Sequence, residues 1–188
     1  MKYIGAGAVP NVVSATEFRR AIPSAEICPD DDALIEMYLN AAQEVVSYAS
    51  GRPLAPGEYE FTVQGYWRRW WFPCAPVSAI TGLDVMGVDG DWQEQPLDDI
   101  QLVNGAMEPQ LVLPVGWGGF HDSTGEIRVQ AVVGHETPPL ALKQAIILLA
   151  KEWLEAGLAV GEVELPKLAF GITSLIRQRR YMRPRECA

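Results

Sequence analysis

Between Leu34 and Ala49 the apolar residues recur at a helical interval. Leu34, Tyr38, Ala41, Ala42, Val45 and Ala49 lie at i, i+4, i+7, i+8, i+11 and i+15, one face of a helix of about five turns. Asp30-Asp31-Asp32 just ahead places carboxylates where unbonded backbone N–H groups and the helix dipole favour negative charge. Gly51 and Pro53 mark the end of that helix. Upstream, Thr16 reads as the N-cap of a short helix running through Ile22 and stopped at Pro23. Residues 1–15, rich in Gly, Ala and Val, show no period and read as an extended arm.

From about Glu58 to Gly134 the period shortens to roughly 2, the spacing of strands. Glu58-Tyr59-Glu60-Phe61-Thr62-Val63-Gln64 alternates polar with apolar, the mark of a half-buried strand. Ile127, Val129, Ala131 and Val133 repeat the alternation at the far end. Between them, strands are expected around Ala79–Val85, Asp99–Val103 and Gln110–Val115. Turns are expected at Val88-Asp89-Gly90-Asp91, Asn104-Gly105 and Ser123-Thr124-Gly125.

Helix returns after Thr137-Pro138-Pro139, with Thr137 as cap and Pro138 at the first helical position. Leu142, Ala145, Ile146, Leu149 and Trp153 form its core face, and Gly157 its end. Ile147 and Leu148 fall outside that stripe, among Lys143, Gln144, Lys151 and Glu152. The helix therefore has apolar surface left over, for the β segment or for another subunit. A loop at Gly161–Pro166 leads to a last helix near Phe170–Arg180, with Pro184 beyond it.

The fold class expected is α+β. Two long helices with short N- and C-terminal ones form a small bundle, residues 16–56 and 135–180. An antiparallel β-sandwich or barrel of five or six strands, residues 57–134, is inserted into it. A basic tail occupies residues 174–188.

Composition narrows the function classes. The chain has 188 residues, 48% of them apolar, and no apolar run approaches the roughly 20 residues that span a bilayer. A soluble protein made in a cytoplasm is expected, with no membrane partner. Cys28, Cys74 and Cys187 lie far apart without a CxxC pair, and His121 and His135 are isolated, so no disulfide framework or metal cluster is expected. Gly5-Ala6-Gly7 follows no strand and runs into Pro10, which discounts a nucleotide fingerprint. The aspartates at 30–32, 84, 89, 91, 98 and 99 are explained by capping and turns. No nucleophile elbow is present. No enzyme, catalytic residue or cofactor is expected, a dispersed carboxylate site being the weakest of the alternatives.

Charge adds a partner. The net charge is −9, yet residues 171–188 hold five arginines against Glu186 alone, leaving −13 on the rest of the chain. An acidic body argues against nonspecific nucleic-acid binding. In the tail, Leu175, Ile176, Tyr181 and Met182 alternate with Arg177, Arg179, Arg180, Arg183 and Arg185. Bulky residues interleaved with bases suit docking into an acidic groove on another protein. The string Trp67-Arg68-Arg69-Trp70-Trp71 has three readings. Its tryptophans fill the β core, anchor a subunit interface together with Ile147 and Leu148, or form a stacking platform for sugar or single-stranded nucleic acid.

The order of elements, with particular strings, resembles a known family. Asp31-Asp32-Ala33-Leu34-Ile35 with Ala41-Ala42 and Ser50-Gly51-Arg52 matches its first long helix and exit. Pro76-Val77-Ser78-Ala79-Ile80-Thr81 with Asp89-Gly90 matches its Pro-Val-x-x-Ile strand and hairpin. Ile127–Gly134 running into Pro139–Ile146 matches its last strand and second long helix. Across about Thr16 to Arg180 the chain resembles the gp6-like head–tail connector (adaptor) proteins of long-tailed phages and gene transfer agents, in their longer form with a β insertion. It departs after Trp153, where many relatives carry an aromatic and then an arginine, and this chain has Leu154-Glu155-Ala156-Gly157.

The resemblance implies a virion protein at the head–tail interface, assembled in a bacterial cytoplasm. It implies a ring, usually of twelve copies, between the portal protein and a tail-side stopper or terminator, with genomic DNA passing through without sequence-specific binding. Its C-terminal segment, here about Ser174 to Arg185, would reach into the portal. The rival reading from the residues alone is a carbohydrate- or peptidoglycan-binding β module using Trp67, Trp70 and Trp71.

Overall fold

The computed structural model describes residues 1–22, 31–64, 68–105, 108–117, 123–156 and 169–184. Its described elements, in chain order, are β1 (Lys2–Tyr3), α1 (Ala15–Ala21), α2 (Asp32–Ser50), β2 (Gly57–Gln64), β3 (Arg69–Trp71), β4 (Val77–Gly87), β5 (Trp92–Glu94), β6 (Gln101–Asn104), β7 (Pro109–Val112), β8 (Ser123–Val133), α3 (Leu140–Ala156) and α4 (Phe170–Arg179). The class is α+β. Two compact units divide the chain: Pro10–Ala55 with Glu136–Arg180, and Met1–Val9 with Pro56–His135 and the segment from Tyr181.

The first unit is helical. α1 opens on a capping box, in which the Ser14 side chain accepts from the Glu17 N–H at 3.1 Å while Glu17 accepts from the Ser14 N–H at 3.1 Å. The cap is therefore Ser14, not Thr16. Thr16 already lies inside the helix, two positions past the residue whose side chain meets the free N–H. The Ser14 N–H, and then Lys143 at 3.0 Å, hold the Glu17 carboxyl below its ordinary range. Ser14→Ala is expected to cost about 1 kcal/mol in chemical denaturation, and Thr16→Ala less than about 0.5 kcal/mol.

α2 buries Ile35, Tyr38, Leu39, Ala42 and Val46. The buried face is turned from the one the periodicity marks, for Leu34 is exposed and Ala41 only half-buried. The expected carboxylates are met in part: Asp32 lies in the first turn, and Asp30 lies outside the described residues. Asp31, at the N-cap, makes no side-chain cap bond, and Asp32 instead takes Arg19 at 2.6 Å. Gly51 ends the helix in the left-handed region, φ +65°. Polar Gln43 sits on the buried face because it has backbone partners. Its Oε1 accepts from the Val12 N–H at 2.8 Å and its Nε2 donates to the Pro10 carbonyl at 2.9 Å.

α3 begins at Leu140, two residues later than the Pro138 expectation, with the Pro139 carbonyl accepting from the Leu142 and Lys143 N–H groups. Leu142, Ala145, Ile146 and Leu149 pack with Ile35, Leu39, Val46, Phe18, Ile172 and Ile176 in one core. Trp153 packs only partly against it.

In the second unit, five strands lie in the order β1-β2-β8-β4-β5 and three in the order β3-β7-β6. All described pairings are antiparallel, and among the described residues no barrel closes. β8 is central, pairing β2 from Gly57↔Val133 to Gln64↔Glu126 and β4 on its other edge. Its alternation aims Ile127, Val129, Ala131 and Val133 at a core shared with Phe61, Leu83, Val85, Trp70, Phe72 and Leu111, so both sheets feed one apolar cluster. On the opposite face Arg128 meets Asp84 at 2.8 Å and lies 4.7 Å from the Trp92 ring. The β4–β5 turn falls at Val88-Asp89-Gly90 as expected, with Gly90 at φ +84°. Ser123-Thr124-Gly125 opens β8 rather than forming a separate turn. β1, β3 and β5 are short strands that no alternation announced.

Candidate functional site: the basic C-terminal segment and the tryptophan string

α4 carries two faces. Ile172 and Ile176, four residues apart, are buried in the helical core, and Leu175 packs partly beside them. Phe170 is 89% exposed, and Arg177, Arg179 and Arg180 are exposed. The N-cap of the helix, Ala169, makes no side-chain cap bond. Its last turn holds Arg177 and Arg179, cations at the negative end of the dipole. The Arg52 Nε–H donates to the Arg179 carbonyl, tying that end to the loop after α2.

Arg180 is extended, and the described residues after it belong to no helix or strand. Tyr181 is 6% exposed, and its hydroxyl donates to the Phe72 carbonyl at 3.0 Å inside the β unit. The Arg183 guanidinium lies 5.5 Å from the Trp70 ring centroid. Met182 is exposed. Arg185 lies outside the described residues. Of the sequence-chosen anchors, Leu175, Ile176 and Tyr181 thus pack within this chain, whereas Arg177, Arg179, Arg180, Met182 and Arg183 face outward. An array of exposed guanidiniums can bind carboxylates bidentately while Met182 adds apolar contact.

Trp70 is 9% exposed and belongs to the β core. It stands edge-on to Phe72 at 4.8 Å and to Phe61 at 5.9 Å between ring centroids, and it faces Leu111 across β7. A ring so enclosed is not available to stack on a sugar. Arg68 and Arg69 are exposed, with the Arg68 Nε–H donating to the Leu113 carbonyl at 3.3 Å. Trp71 is half-buried. Trp67 lies outside the described residues. Ile147 and Leu148 pack partly against the helical core.

Pattern reading missed two features of this region. One is the Tyr181–Phe72 bond, which links positions 109 apart and leaves no local trace. The other is the aromatic cluster around Trp70, whose partners Phe61 and Phe72 are visible as residues but not as neighbours. α4 ends at Arg179 with Arg180 as its cap, within one residue of the end expected near Arg180.

Among the described residues no group of three or more His, Cys, Asp or Glu stands placed to hold a metal ion. Among them too, no helix is long and apolar enough to cross a membrane. Cys74 is buried and free. Burial pushes its thiol up to about 12. The folded form keeps this proton where the unfolded chain loses it, so stability is full below the ordinary thiol value and falls as pH rises from 9.0 toward about 12. The slope expected is about 1.4 kcal/mol per pH unit for the one withheld proton. Cys74→Ala should remove that slope in urea titrations, and native Cys74 should stay unalkylated at neutral pH by mass spectrometry.

No protein-family model matches this chain, and neither does any curated protein. Solved structures do. A chain in the neck of an empty GTA particle computed with C6 symmetry superposes with a TM-score of 0.74 and 23% identity, covering 100% of this chain and 99% of that one. A chain in the neck of a native GTA particle computed with C12 symmetry gives 0.72, at the same identity and coverage. A chain of the virion of a native gene transfer agent particle gives 0.70, again at 23% identity over 100% and 99% of the two chains. Both units and all the described elements therefore fall within a fold that these particle components share from end to end.

Proposed function

We propose that this protein is a structural head–tail connector of the gp6-like kind, located in the neck of a phage or gene transfer agent particle. The observation that carries the reading is the end-to-end fold match to a chain of a neck with C12 symmetry. On this reading the helices, residues 16–56 and 135–180, form a small bundle into which the β segment 57–134 is inserted. Copies of the chain, twelve in number, close a ring between the portal protein and a tail-side stopper or terminator. The segment from Ser174 docks on the portal through Arg177, Arg179, Arg180, Met182, Arg183 and Arg185.

Physical chemistry supports the parts. An acidic body around a channel repels the phosphate backbone, so genomic DNA passes without sticking and without sequence-specific contacts. The basic segment, opposite in sign, supplies a different surface for a different partner. Ring closure needs two unlike patches on each copy. No chemistry is required of such a subunit, and it needs no cofactor.

The test is location. Purified particles should contain the chain in many copies, and particle reconstruction should put its density at the neck. Its absence from intact particles, or density elsewhere on the capsid, would falsify the proposal. The sugar-binding alternative has lost Trp70, which is enclosed in the core.

A further inference from the structure

α2 has more apolar surface than its own core covers. Leu34, Met37, Ala41 and Tyr48 fall within an arc of about 60° at 100° per residue, next to the buried face. Leu34 and Met37 are exposed, Ala41 is half-buried, and Tyr48 is 91% exposed. Glu44, also exposed, borders the stripe. Single exposed apolar residues are ordinary, but a stripe along a helix is a contact surface in want of a partner.

α4 presents a second patch of matching design. Phe170 and Arg177 are seven residues apart and share one outward face, with Thr173 and Ser174 between them. Met37 and Glu44 are also seven residues apart. Seven residues rise about 10.5 Å in any α-helix, so the two pairs have the same span. Laid side by side in the same direction, Phe170 meets Met37 and Arg177 meets Glu44. In the opposite direction each charge would face an apolar side chain. The small Thr173 and Ser174 let the helices approach. Tyr48, one turn beyond Glu44, offers a ring face to the arginines that follow.

We propose that the α2 stripe of one copy receives the outward face of α4 from the next copy, through Met37–Phe170 and Glu44–Arg177. The occupant is a second copy because complementary charge and spacing are found on this same chain. Two unlike patches on one chain make a heterologous contact, the kind that propagates around a ring. The inference rests on the ring reading and deepens it. It moves Arg177 out of the portal set named above to a contact between copies and leaves Arg179, Arg180, Met182, Arg183 and Arg185 for the portal.

A charge swap tests it on the full chain. Self-association is measured by sedimentation for wild type, Glu44→Arg, Arg177→Glu and the double variant, with melting curves confirming that each folds. Each single change should weaken association about tenfold or more, and the double should recover to within about threefold of wild type. Tyr48→Ala, which alters no charge, should weaken it as well. A wild-type chain monomeric at about 1 mM, single variants that associate like wild type, or a double no better than the singles would each overturn the contact. Portal binding scored in parallel separates the two readings. Portal binding without self-association through these residues refutes the contact alone, and swap-dependent self-association without portal binding refutes the neck reading alone.

Discussion

Trp70→Ala should destabilise the β unit by about 3–5 kcal/mol, the usual cost of emptying a large aromatic site in a core. The ring is 9% exposed and edge-on to Phe61 and Phe72, so its removal leaves a cavity that two aromatic neighbours must fill. It also withdraws the surface under Arg183. Trp70→Phe keeps most of the packing and should cost about 1–2 kcal/mol. Denaturant titration followed in the near ultraviolet, where buried aromatics report, is the measurement. The chain has two units, so the unfolding curve is to be fitted without assuming one transition. A cost below about 1 kcal/mol would move Trp70 from the core to the surface and revive the stacking platform.

On the connector reading, portal affinity should fall at least about a hundredfold when Arg179, Arg180 and Arg183 are all changed to Glu, because three charges that attract an acidic groove would become three that repel it. Arg179 and Arg180 are exposed, so their substitutions should spare the core, and a melting curve of Arg183→Glu alone measures the loss of its contact with the Trp70 ring. The wild-type affinity should itself decline with added salt, and the triple variant should lose that dependence. Deleting everything from Ser174 is a poorer probe. It also removes Ile176 from the helical core and Tyr181 from its bond to Phe72, so lost binding would be confounded with lost structure. A triple variant that binds portal like wild type would take the basic segment out of the interface.

Much of the fold was legible in the sequence. Alternation located β2 and β8 because each has one face in the core and one in solvent, which leaves a period of 2. Gly51 and Gly90 marked a helix end and a turn because both need positive φ. α3 was readable because Leu142, Ala145, Ile146 and Leu149 keep one face over about two turns. The failures have physical causes. β3 and β5 are three residues long, too short to show a period. Ser14 and Thr16 are both competent caps, and only the reciprocal bond to Glu17 separates them.

α2 is the more instructive case. Its apolar residues spread over an arc wider than one core contact, and the sequence cannot say which part faces inward. The pattern from Leu34 centred the stripe on residues that are partly exposed, while Gln43 lies inside because backbone groups at Pro10 and Val12 satisfy it. The contact proposed between copies would account for the overlap of the expected face with the exposed one.

At the candidate site, composition located the basic segment but not its anchoring. Ile176 and Tyr181 read as free anchors, since nothing local reveals a partner more than a hundred residues away. Outward-facing arginines remain, which is the part that charge asymmetry could announce.

The most direct test mixes the full chain with purified portal from its own particle and images the product by electron microscopy. The account predicts a collar of this subunit stacked coaxially on the portal, with twelvefold symmetry and the residues after Phe170 on the portal side. A portal that leaves the mixture bare under low salt would contradict it.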